Sequence, residues 1–422
     1  MLNQVLNEAI SLVNNGETDK GLELLAQIQP TLHDEEKVLL AELYFQWGIV
    51  DLALEIMEEL HFLYEEESQL AIFLAEIYID LDREEDAIQI LNKISTSDEA
   101  YPQVLLLLAD LYQMQGLMEV SEQKLKEAKR LLPKESVIDF AFAELYFHQG
   151  KYQKAVSYYE EVLKDRSDIQ GVHIAARLAE SLSLSGAFEE ALEYYEQAVR
   201  DNPEPNTIFG YGVTAYQGGF YKTAIKQLLY LKDIDKDFTS LYLYLAKSYE
   251  HEEMITESLE VIQEGIKADE YNKELFVYGG KIAIKAGQIS LAEQFLREAL
   301  ALDPGHVEAG STLTKLFLQD EKYDEVIDLI EEISKYEEEI PEFNWDLARA
   351  YHQKEQYIEA LNYYERAYNF FKERPDFLEE YGYFLLEDGK REKGKEILKE
   401  LLQLDRTNVE IEEILMQLEE EF

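Results

Sequence analysis

The chain has 422 residues, and its 46% of hydrophobic residues is typical of a folded chain rather than a disordered one. Its 88 acidic and 39 basic residues give a formal charge of −49 at pH 7, so it repels nucleic acid phosphates and anionic lipid headgroups. It has no cysteine, which excludes disulfides, thiolate metal sites and a cysteine nucleophile.

The N-terminal segment, residues 1–21, has the pattern of an amphipathic helix. It lacks both the basic start and the continuous apolar run of a secretory signal. No apolar run elsewhere approaches the roughly 20 residues that span a bilayer. The sequence therefore predicts no membrane partner and a cytoplasmic location.

The segment 136–170 contains two predicted helices in succession. Residues 137–149, VIDFAFAELYFHQ, have apolar residues at helical spacing and are followed by Gly150, which suits a helix C-terminal turn. Residues 152–164, YQKAVSYYEEVLK, have a second amphipathic pattern. The segment therefore predicts a helical hairpin.

The same hairpin pattern recurs along the whole chain with a period near 34 residues. The pentapeptide AELYF occurs at 41–45 and at 143–147, which begin 102 residues, or three periods, apart. Two small positions twelve residues apart mark each copy, and 22 of these 24 positions are Gly, Ala or Ser. Small side chains let two helix axes approach closely where they cross, so one is expected on each helix of the pair.

The first-helix small positions are Ala9, Ala41, Ala75, Ala109, Ala143, Ala179, Gly212, Ala246, Gly280, Thr314, Ala348 and Gly382. The second-helix small positions are Gly21, Ala53, Ala87, Ser121, Ala155, Ala191, Ala224, Ser258, Ala292, Val326, Ala360 and Gly394.

Helix-breaking residues follow the same register. All eight prolines lie at junctions between units, and none lies inside a predicted helix. Glycine occupies the turn within the hairpin in eight of twelve units: Gly16, Gly48, Gly116, Gly150, Gly186, Gly219, Gly287 and Gly389.

This pattern resembles the tetratricopeptide-repeat family. The fullest match is 274–304, ELFVYGGKIAIKAGQISLAEQFLREALALDP, with Gly280, Ala292, Ala299 and Pro304 at the family's key positions. The resemblance covers essentially the whole chain and implies an all-α fold, an α-solenoid of about twelve hairpins in a right-handed superhelix. Val326 departs from the pattern because it crowds a normally small position, so less regular packing is expected in the tenth repeat.

The predicted organisation is one solenoid over 1–422, with a C-terminal capping helix at 408–422 and a hinge at 200–206, where RDNPEPN joins two repeats. The predicted repeats are 1–33, 34–67, 68–101, 102–135, 136–171, 172–204, 205–238, 239–272, 273–306, 307–340, 341–374 and 375–407.

The residue after each first-helix small position lies, in this family, on the stripe that lines the concave groove. Along the chain this stripe changes sign from acidic to basic: Glu42, Glu76, Asp110, Glu144 and Glu180 are followed by Lys247, Lys281, Lys315 and Arg349, with Lys285 one turn beyond Lys281. The resemblance implies a groove with an acidic and a basic half. The alternative interpretation is a charged helix face that only meets solvent.

Apolar residues neighbour the charged stripe one helical turn away. They are Phe45, Phe147, Phe209, Tyr216, Leu243 and Val277. Trp345, Arg349 and His352 share one helix face, and an aromatic beside an arginine is typical of interface hot spots. Packing between repeats is the alternative role of Trp345.

No catalytic, metal or cofactor site is predicted. The seven histidines are scattered through different repeats, and DIDKD at 233–237 has Phe238 where a calcium loop needs glycine. The segment 210–219, GYGVTAYQGG, lacks the lysine of a phosphate-binding loop. Chaperone-binding members of the family hold a C-terminal carboxylate with lysines and asparagines, and the basic stripe lacks the asparagines.

The sequence favours a non-enzymatic scaffold or adaptor that binds protein segments in its groove, without a cofactor. Two alternatives stay open. The chain could be a sensor whose superhelix changes shape around a peptide or small ligand, with 200–206 as the hinge. It could also self-associate, the acidic tail after Arg406 occupying the basic groove of another copy.

Overall fold

The computed structural model describes residues 2–336 and 340–420, and the chain divides into two compact units, Met1–Ala198 and Val199–Phe422. In the described residues twelve helical hairpins follow one another, and a further helix comes after the last. This confirms the prediction of an all-α fold built from repeated hairpins. Odd-numbered helices are the first helices of the hairpins and even-numbered helices the second.

The helices that start in the first unit are α1 (Leu2–Asn14), α2 (Thr18–Ile28), α3 (Asp34–Gln46), α4 (Val50–Leu63), α5 (Ser68–Asp80), α6 (Glu84–Leu91), α7 (Tyr101–Met114), α8 (Met118–Leu131), α9 (Ser136–His148), α10 (Tyr152–Leu163), α11 (Ile174–Leu184) and α12 (Phe188–Asp201). A short 3-10 helix, Gln29–Thr31, follows α2.

The helices of the second unit are α13 (Pro205–Gln217), α14 (Tyr221–Ile234), α15 (Leu241–His251), α16 (Ile255–Ala268), α17 (Lys273–Lys285), α18 (Ile289–Leu302), α19 (Val307–Gln319), α20 (Tyr323–Ile333), α21 (Pro341–Gln353), α22 (Tyr357–Phe371), α23 (Pro375–Glu387), α24 (Arg391–Leu404) and α25 (Val409–Glu420). The boundary between the units falls within α12, and a hinge at 200–206 remains a prediction.

The turn inside each hairpin needs one residue in the left-handed region. The eight predicted turn glycines all have positive φ angles. In the other four hairpins the same place is taken, again with positive φ, by Asp82, Glu253, Glu321 and Glu355. All twelve hairpins therefore turn in the same way, although four of them use a residue that tolerates this conformation less well.

The small positions are where the paired helices touch. All 24 are buried. A Cβ atom on Gly280 would lie 2.7 Å from Leu296 Cγ, so a larger residue fits there only if the Leu296 side chain shifts. Val326 and Thr314, the two larger residues of the series, are also completely buried, and Thr314 Oγ1 has no hydrogen-bond partner among the described residues.

A β-hairpin departs from the repeating pattern between α10 and α11. Strands β1 (Asp168–Ile169) and β2 (Val172–His173) pair antiparallel around Gln170 and Gly171, which have φ angles of 52° and 80°. Positive φ at both turn residues is the geometry that joins two-residue hairpins. Sequence analysis missed this element because its strands are too short to show an alternating pattern.

Helix α25 caps the last hairpin, as predicted. Ile411 and Leu415 are buried in one cluster with Leu398 and Leu401 of α24. Lys399 Nζ donates to Glu419 Oε1 at 3.0 Å, which adds a polar contact between the two helices. Residues 421–422 of the predicted capping segment lie outside the described residues. Among the helices described, none is both long and apolar enough to cross a membrane.

Candidate protein-binding face

Two positions on each first helix decide which charges are available to a partner. We count from the first-helix small position, so that position +1 follows it directly and position −2 lies two residues before it. These positions are three residues apart and so lie on one side of the helix. In the first unit +1 is acidic at Glu42, Glu76, Asp110, Glu144 and Glu180; in the second unit it is basic at Lys247, Lys281, Lys315 and Arg349.

The guanidinium of Arg349 is bound within the chain. Its Nε lies 2.9 Å from both carboxylate oxygens of Glu380, and its Nη2 donates to Oε2 at 2.6 Å. Tyr364 Oη and Trp345 Nε1 donate to the same carboxylate at 2.8 and 3.1 Å. Glu380 thus accepts hydrogen bonds from three side chains of the preceding hairpin, and Arg349 is already neutralised.

Three more residues of the predicted basic half also have intrachain acidic partners: Lys281 pairs with Glu308, Lys285 with Glu250, and His352 Nε2 lies 3.0 Å from Glu387 Oε2. By contrast, Lys247 and Lys315 form no ion pair with any described residue. Lys247 Nζ lies 5.8 and 5.6 Å from the ring centroids of Tyr244 and Tyr278. The net positive charge that the basic half can offer is therefore smaller than the sequence suggests.

Asp346, at position −2, is a buried carboxyl group between two bases of this face. Its side chain is 9% exposed, and Arg349 Nη1 lies 3.9 Å from Oδ1. Burial raises the pKa of Asp346 to about 6, although Arg349 and Lys315 both act to lower it. The desolvation of this carboxylate therefore outweighs its attraction to the two neighbouring bases.

Replacing Asp346 by asparagine should stabilise the second unit at neutral and higher pH. The folded pKa lies above the ordinary value of 3.8, so the folded chain binds the proton more tightly than the unfolded chain, and stability falls as pH rises towards about 6. Asp346→Asn removes this penalty, which we expect to amount to about 3 kcal/mol at pH about 8. Urea denaturation over a pH series measures it, and the gain should shrink as pH falls through about 6.

Asp328→Asn is the control, because Asp328 is exposed and has no ion pair in the described part of the chain. A gain for Asp346→Asn that does not depend on pH would contradict the assignment of the effect to this carboxyl group.

Two predicted groove residues are buried in the second unit. Trp345 is 6% exposed and packs edge-on against Phe377 at 5.1 Å between ring centroids. Of its two interpretations, the structure therefore supports packing between repeats. Val277 is 2% exposed, and the prediction that it lines a groove is wrong, because Phe276, Val277 and Gly279 all belong to the closely packed part of α17.

The other predicted apolar residues are half-buried. Their neighbours are rings or cations of the same unit: Phe147 lies under Arg177 at 4.0 Å, Phe209 contacts Phe238 at 4.9 Å, and Tyr216 contacts Tyr244 at 5.7 Å. Leu243 is half-buried and packs on the core of its unit. These residues are partly covered by the chain itself, which limits the apolar area they offer a partner.

In the first unit, Glu144 and Glu180 share one arginine. Arg177 Nη2 lies 2.7 Å from Glu144 Oε2, and Nη1 lies 2.7 Å from Glu180 Oε2. Tyr159 Oη also donates to Glu144. Two of the five acids of the predicted acidic half are therefore engaged within the chain.

In three places a charge at +1 meets the opposite charge at −2 of the next repeat. Glu144 pairs with Arg177 and, with the signs reversed, Arg349 pairs with Glu380, while Lys315 acts on the carboxyl group of Asp346 at the corresponding position. Facing Glu42, Glu76 and Asp110, the −2 residues of the next repeats are Phe73, Leu107 and Ala141.

Glu42, Glu76 and Asp110 accordingly form no ion pair with any described residue. Burial raises the pKa of both Glu76 and Asp110 above the ordinary carboxyl values, and His148 partly opposes the shift at Asp110. Of the three, Glu76 is half-buried and has lost part of its hydration without gaining a cation, whereas Glu42 and Asp110 are exposed. We call Glu42, Glu76 and Asp110 the free acid row.

A hollow with a mixed apolar and polar lining lies beside the free acid row. It encloses about 330 Å³ between α3 and α5, and its lining residues are Val38, Glu42, Phe45, Gln46, Gln69, Leu70, Ile72, Phe73, Glu76 and Gln103. The rings of Phe45 and Phe73 meet edge-to-face with centroids 5.7 Å apart and connect the two first helices. Two members of the free acid row thus stand at a hollow that has apolar side chains in its wall.

Two further cavities lie elsewhere. One of about 960 Å³ lies among α20, α21 and α22, and another of about 320 Å³ lies beside His61 and Asp98. Within residues 2–336 and 340–420, no group of three histidine or acidic side chains is placed to hold a metal ion.

Comparison with known proteins identifies the family of this chain. The TPR repeat-containing protein YpiA of Bacillus subtilis (strain 168) is 52% identical over 421 residues, which cover 100% of both chains. The chain belongs to the tetratricopeptide-repeat family. Its repeats match the model of YpiA-like tetratricopeptide repeats at 113–166, that of YpiA-like C-terminal repeats at 341–407, and a general tetratricopeptide-repeat model at 146–207 and 283–342.

Solved tetratricopeptide-repeat structures are similar at low identity. The C-terminal part of a TPR repeat-containing protein from Cytophaga hutchinsonii has a TM-score of 0.50 and is 15% identical, covering 57% of this chain and 99% of that one. YrrB, described as a TPR protein with an unusual peptide-binding site, has a TM-score of 0.38 and is 17% identical, covering 44% and 95%. Tetratricopeptide-repeat proteins generally mediate protein–protein interaction, and their fold is typically a non-catalytic scaffold.

Proposed function

We propose that this tetratricopeptide-repeat protein is a non-enzymatic adaptor that binds polypeptide segments on the first helices of its repeats. The main docking face consists of the free acid row and the hollow beside it. The observation that carries this proposal is the difference between paired and unpaired charges at +1. At Glu144 the +1 charge meets an opposite charge at −2 of the next repeat and stabilises the stack. Glu76 faces an apolar residue there and forms no ion pair with any described residue, so its charge is available to a partner.

The basic residues of the second unit are a weaker candidate face. Lys247 and Lys315 have no ion pair among the described residues, whereas Lys281, Lys285 and Arg349 are paired with acids of their own unit. An acidic segment would have to compete with those intrachain carboxylates. The free acid row offers a basic segment no such competition, which is why we place the main face in the first unit.

Selection from a random peptide library tests the proposal and does not require the natural partner to be identified first. We compare the wild type with the triple variant Glu42→Gln, Glu76→Gln, Asp110→Asn, and measure the affinity of the selected peptides by fluorescence anisotropy. We expect binders whose affinity falls by about tenfold or more in the triple variant.

The matched control is Glu55→Gln, Glu85→Gln, Glu119→Gln. These exposed acids lie on the second helices of the same three repeats, so the control changes the net charge equally. It should bind like the wild type. No selected binder at all, or binders that the acid-row variant holds as tightly as the wild type, would disprove the proposed face.

The sensor and self-association hypotheses remain predictions. The position of α25 on α24 gives the C-terminal segment an intrachain role, which favours a cap over a tail that occupies another copy. Light scattering of the full chain measures self-association directly. The cytoplasmic location expected from the sequence also remains a prediction.

A further inference from the structure

The hollow and the free acid row together specify the chemistry of a partner. The hollow is lined on one side by Phe45 and Val38 of α3 and on the other by Leu70 and Phe73 of α5. An apolar side chain that fills it removes these surfaces from water, which is favourable in proportion to the area buried. At the rim, Glu42 and Glu76 form no ion pair with any described residue, so a cation of the partner can reach them.

We infer that the occupant is a segment of another protein in the polyproline II conformation, with a basic residue at every third position and an apolar residue next to it. This inference rests on the proposed function, because it takes the free acid row as the docking face and names what binds there. The argument has three steps: spacing, conformation and charge.

The spacing comes from the repeat. Helix axes that pack together lie about 8–10 Å apart, so equivalent residues on successive first helices recur at about that distance. Contact between Phe45 of α3 and Phe73 of α5 shows that these first helices are neighbours at the hollow. A ligand must therefore present its basic groups at the same interval.

The conformation follows from this interval. A polyproline II segment has three residues per turn and rises about 3.1 Å per residue, so one face recurs about every 9 Å. A β-strand rises about 3.3 Å per residue but alternates faces, so residues three apart point in opposite directions. Of these two extended conformations, the first places basic residues three apart over Glu42, Glu76 and Asp110 while the neighbouring apolar residues face the hollow.

A basic segment complements both the charges of the free acid row and the net charge of the whole chain. Glu76 is half-buried, and neither Glu76 nor Asp110 has an ion pair with a described residue, since the −2 residues of the next repeats are Leu107 and Ala141. A partner's lysine or arginine supplies the missing charge. The formal charge of −49 also attracts a basic segment over a longer range and repels an acidic one.

Synthetic peptides test the inference. The first carries the repeat Pro-Lys-Leu, which favours polyproline II and places lysine and leucine on adjacent faces. The second replaces lysine by glutamate, the third replaces leucine by serine, and the fourth has the composition of the first with its lysines clustered together. Affinities are measured by calorimetry for the wild type, the acid-row triple variant and the matched control variant.

We expect the Pro-Lys-Leu peptide to bind the wild type and the control variant at least about tenfold more tightly than it binds the acid-row variant. It should also bind more tightly than the other three peptides, and its affinity should fall as the salt concentration is raised. Equal affinity for the clustered-lysine peptide would overturn the spacing argument, and equal affinity for the serine peptide would overturn the role of the hollow.

The two proposals fail in different ways. If library selection yields acid-row binders that lack basic residues, or if the glutamate peptide binds best, this inference is wrong while the proposed function stands. If no peptide from either source depends on the acid row, both are wrong. Circular dichroism of each variant confirms that the helices are intact.

Discussion

Replacing Glu380 by leucine is expected to lower the free energy of unfolding by about 3–4 kcal/mol. The carboxylate accepts hydrogen bonds from Arg349 Nε and Nη2, from Tyr364 Oη and from Trp345 Nε1. Tyr364 and Trp345 are buried, so their donors would be left without acceptors in a place that water barely reaches. Arg349 would in addition lose its main counter-charge, and leucine supplies no acceptor in compensation.

The loss should appear locally. Each repeat contacts mainly its neighbours, so a broken link between α21 and α23 should open the C-terminal hairpins before the rest of the chain. Hydrogen exchange read by mass spectrometry should show faster exchange over residues 341–420 and little change elsewhere. Glu380→Gln, which keeps an acceptor oxygen, should lose less.

Glu379→Gln is the control, because the Glu379 carboxylate has no hydrogen bond or ion pair among the described residues. This substitution should change the free energy of unfolding by less than about 0.5 kcal/mol. A Glu380→Leu variant as stable as the wild type would show that the four hydrogen bonds contribute nothing net.

Replacing Gly265 by alanine should destabilise the second unit by about 2–3 kcal/mol. In an ordinary helix interior the same change stabilises by about 0.5–1 kcal/mol. At Gly265, however, the new Cβ would lie 2.6 Å from Tyr242 Cβ and 3.0 Å from Leu275 Cδ1. A Cβ atom is attached to the backbone, so Tyr242 can make room only if α15 moves away from α16.

Thermal or urea unfolding of Gly265→Ala measures this effect. Lys267→Ala is the control in the same helix, because Lys267 is exposed and the change should alter stability by less than about 0.5 kcal/mol. A Gly265→Ala variant more stable than the wild type would mean that the helices separate at little cost and that the close approach is not a constraint.

Small residues, turn glycines and prolines predicted the fold because each of them acts on the backbone within a few residues. A helix forms from the spacing of apolar residues within about four turns, and a hairpin turn needs one residue in the left-handed region. The sequence identified the turn in the eight hairpins that have glycine there. It could not identify Glu253 or Glu355 as turn residues, because glutamate is not a residue type that favours a positive φ.

The candidate site was only partly predictable. Glu42, Glu76 and Asp110 stood out from the sequence by their position after a small residue, and so did Glu144 and Arg349. What separates the first three from the last two is the residue at −2 of the next repeat. Comparison of +1 with the −2 position some 31–33 residues later would have found Arg177 and Glu380 as partners from sequence alone.

The sequence by itself thus determined that this protein is a stack of helical hairpins with charged first helices, because helix periodicity and turn chemistry act over a few residues. Only the tertiary structure decided which of those charges are neutralised, that Trp345 and Val277 are buried, and that a hollow opens between α3 and α5. These properties depend on the register in which one hairpin packs on the next, and that register arises from contacts between residues about a whole repeat apart.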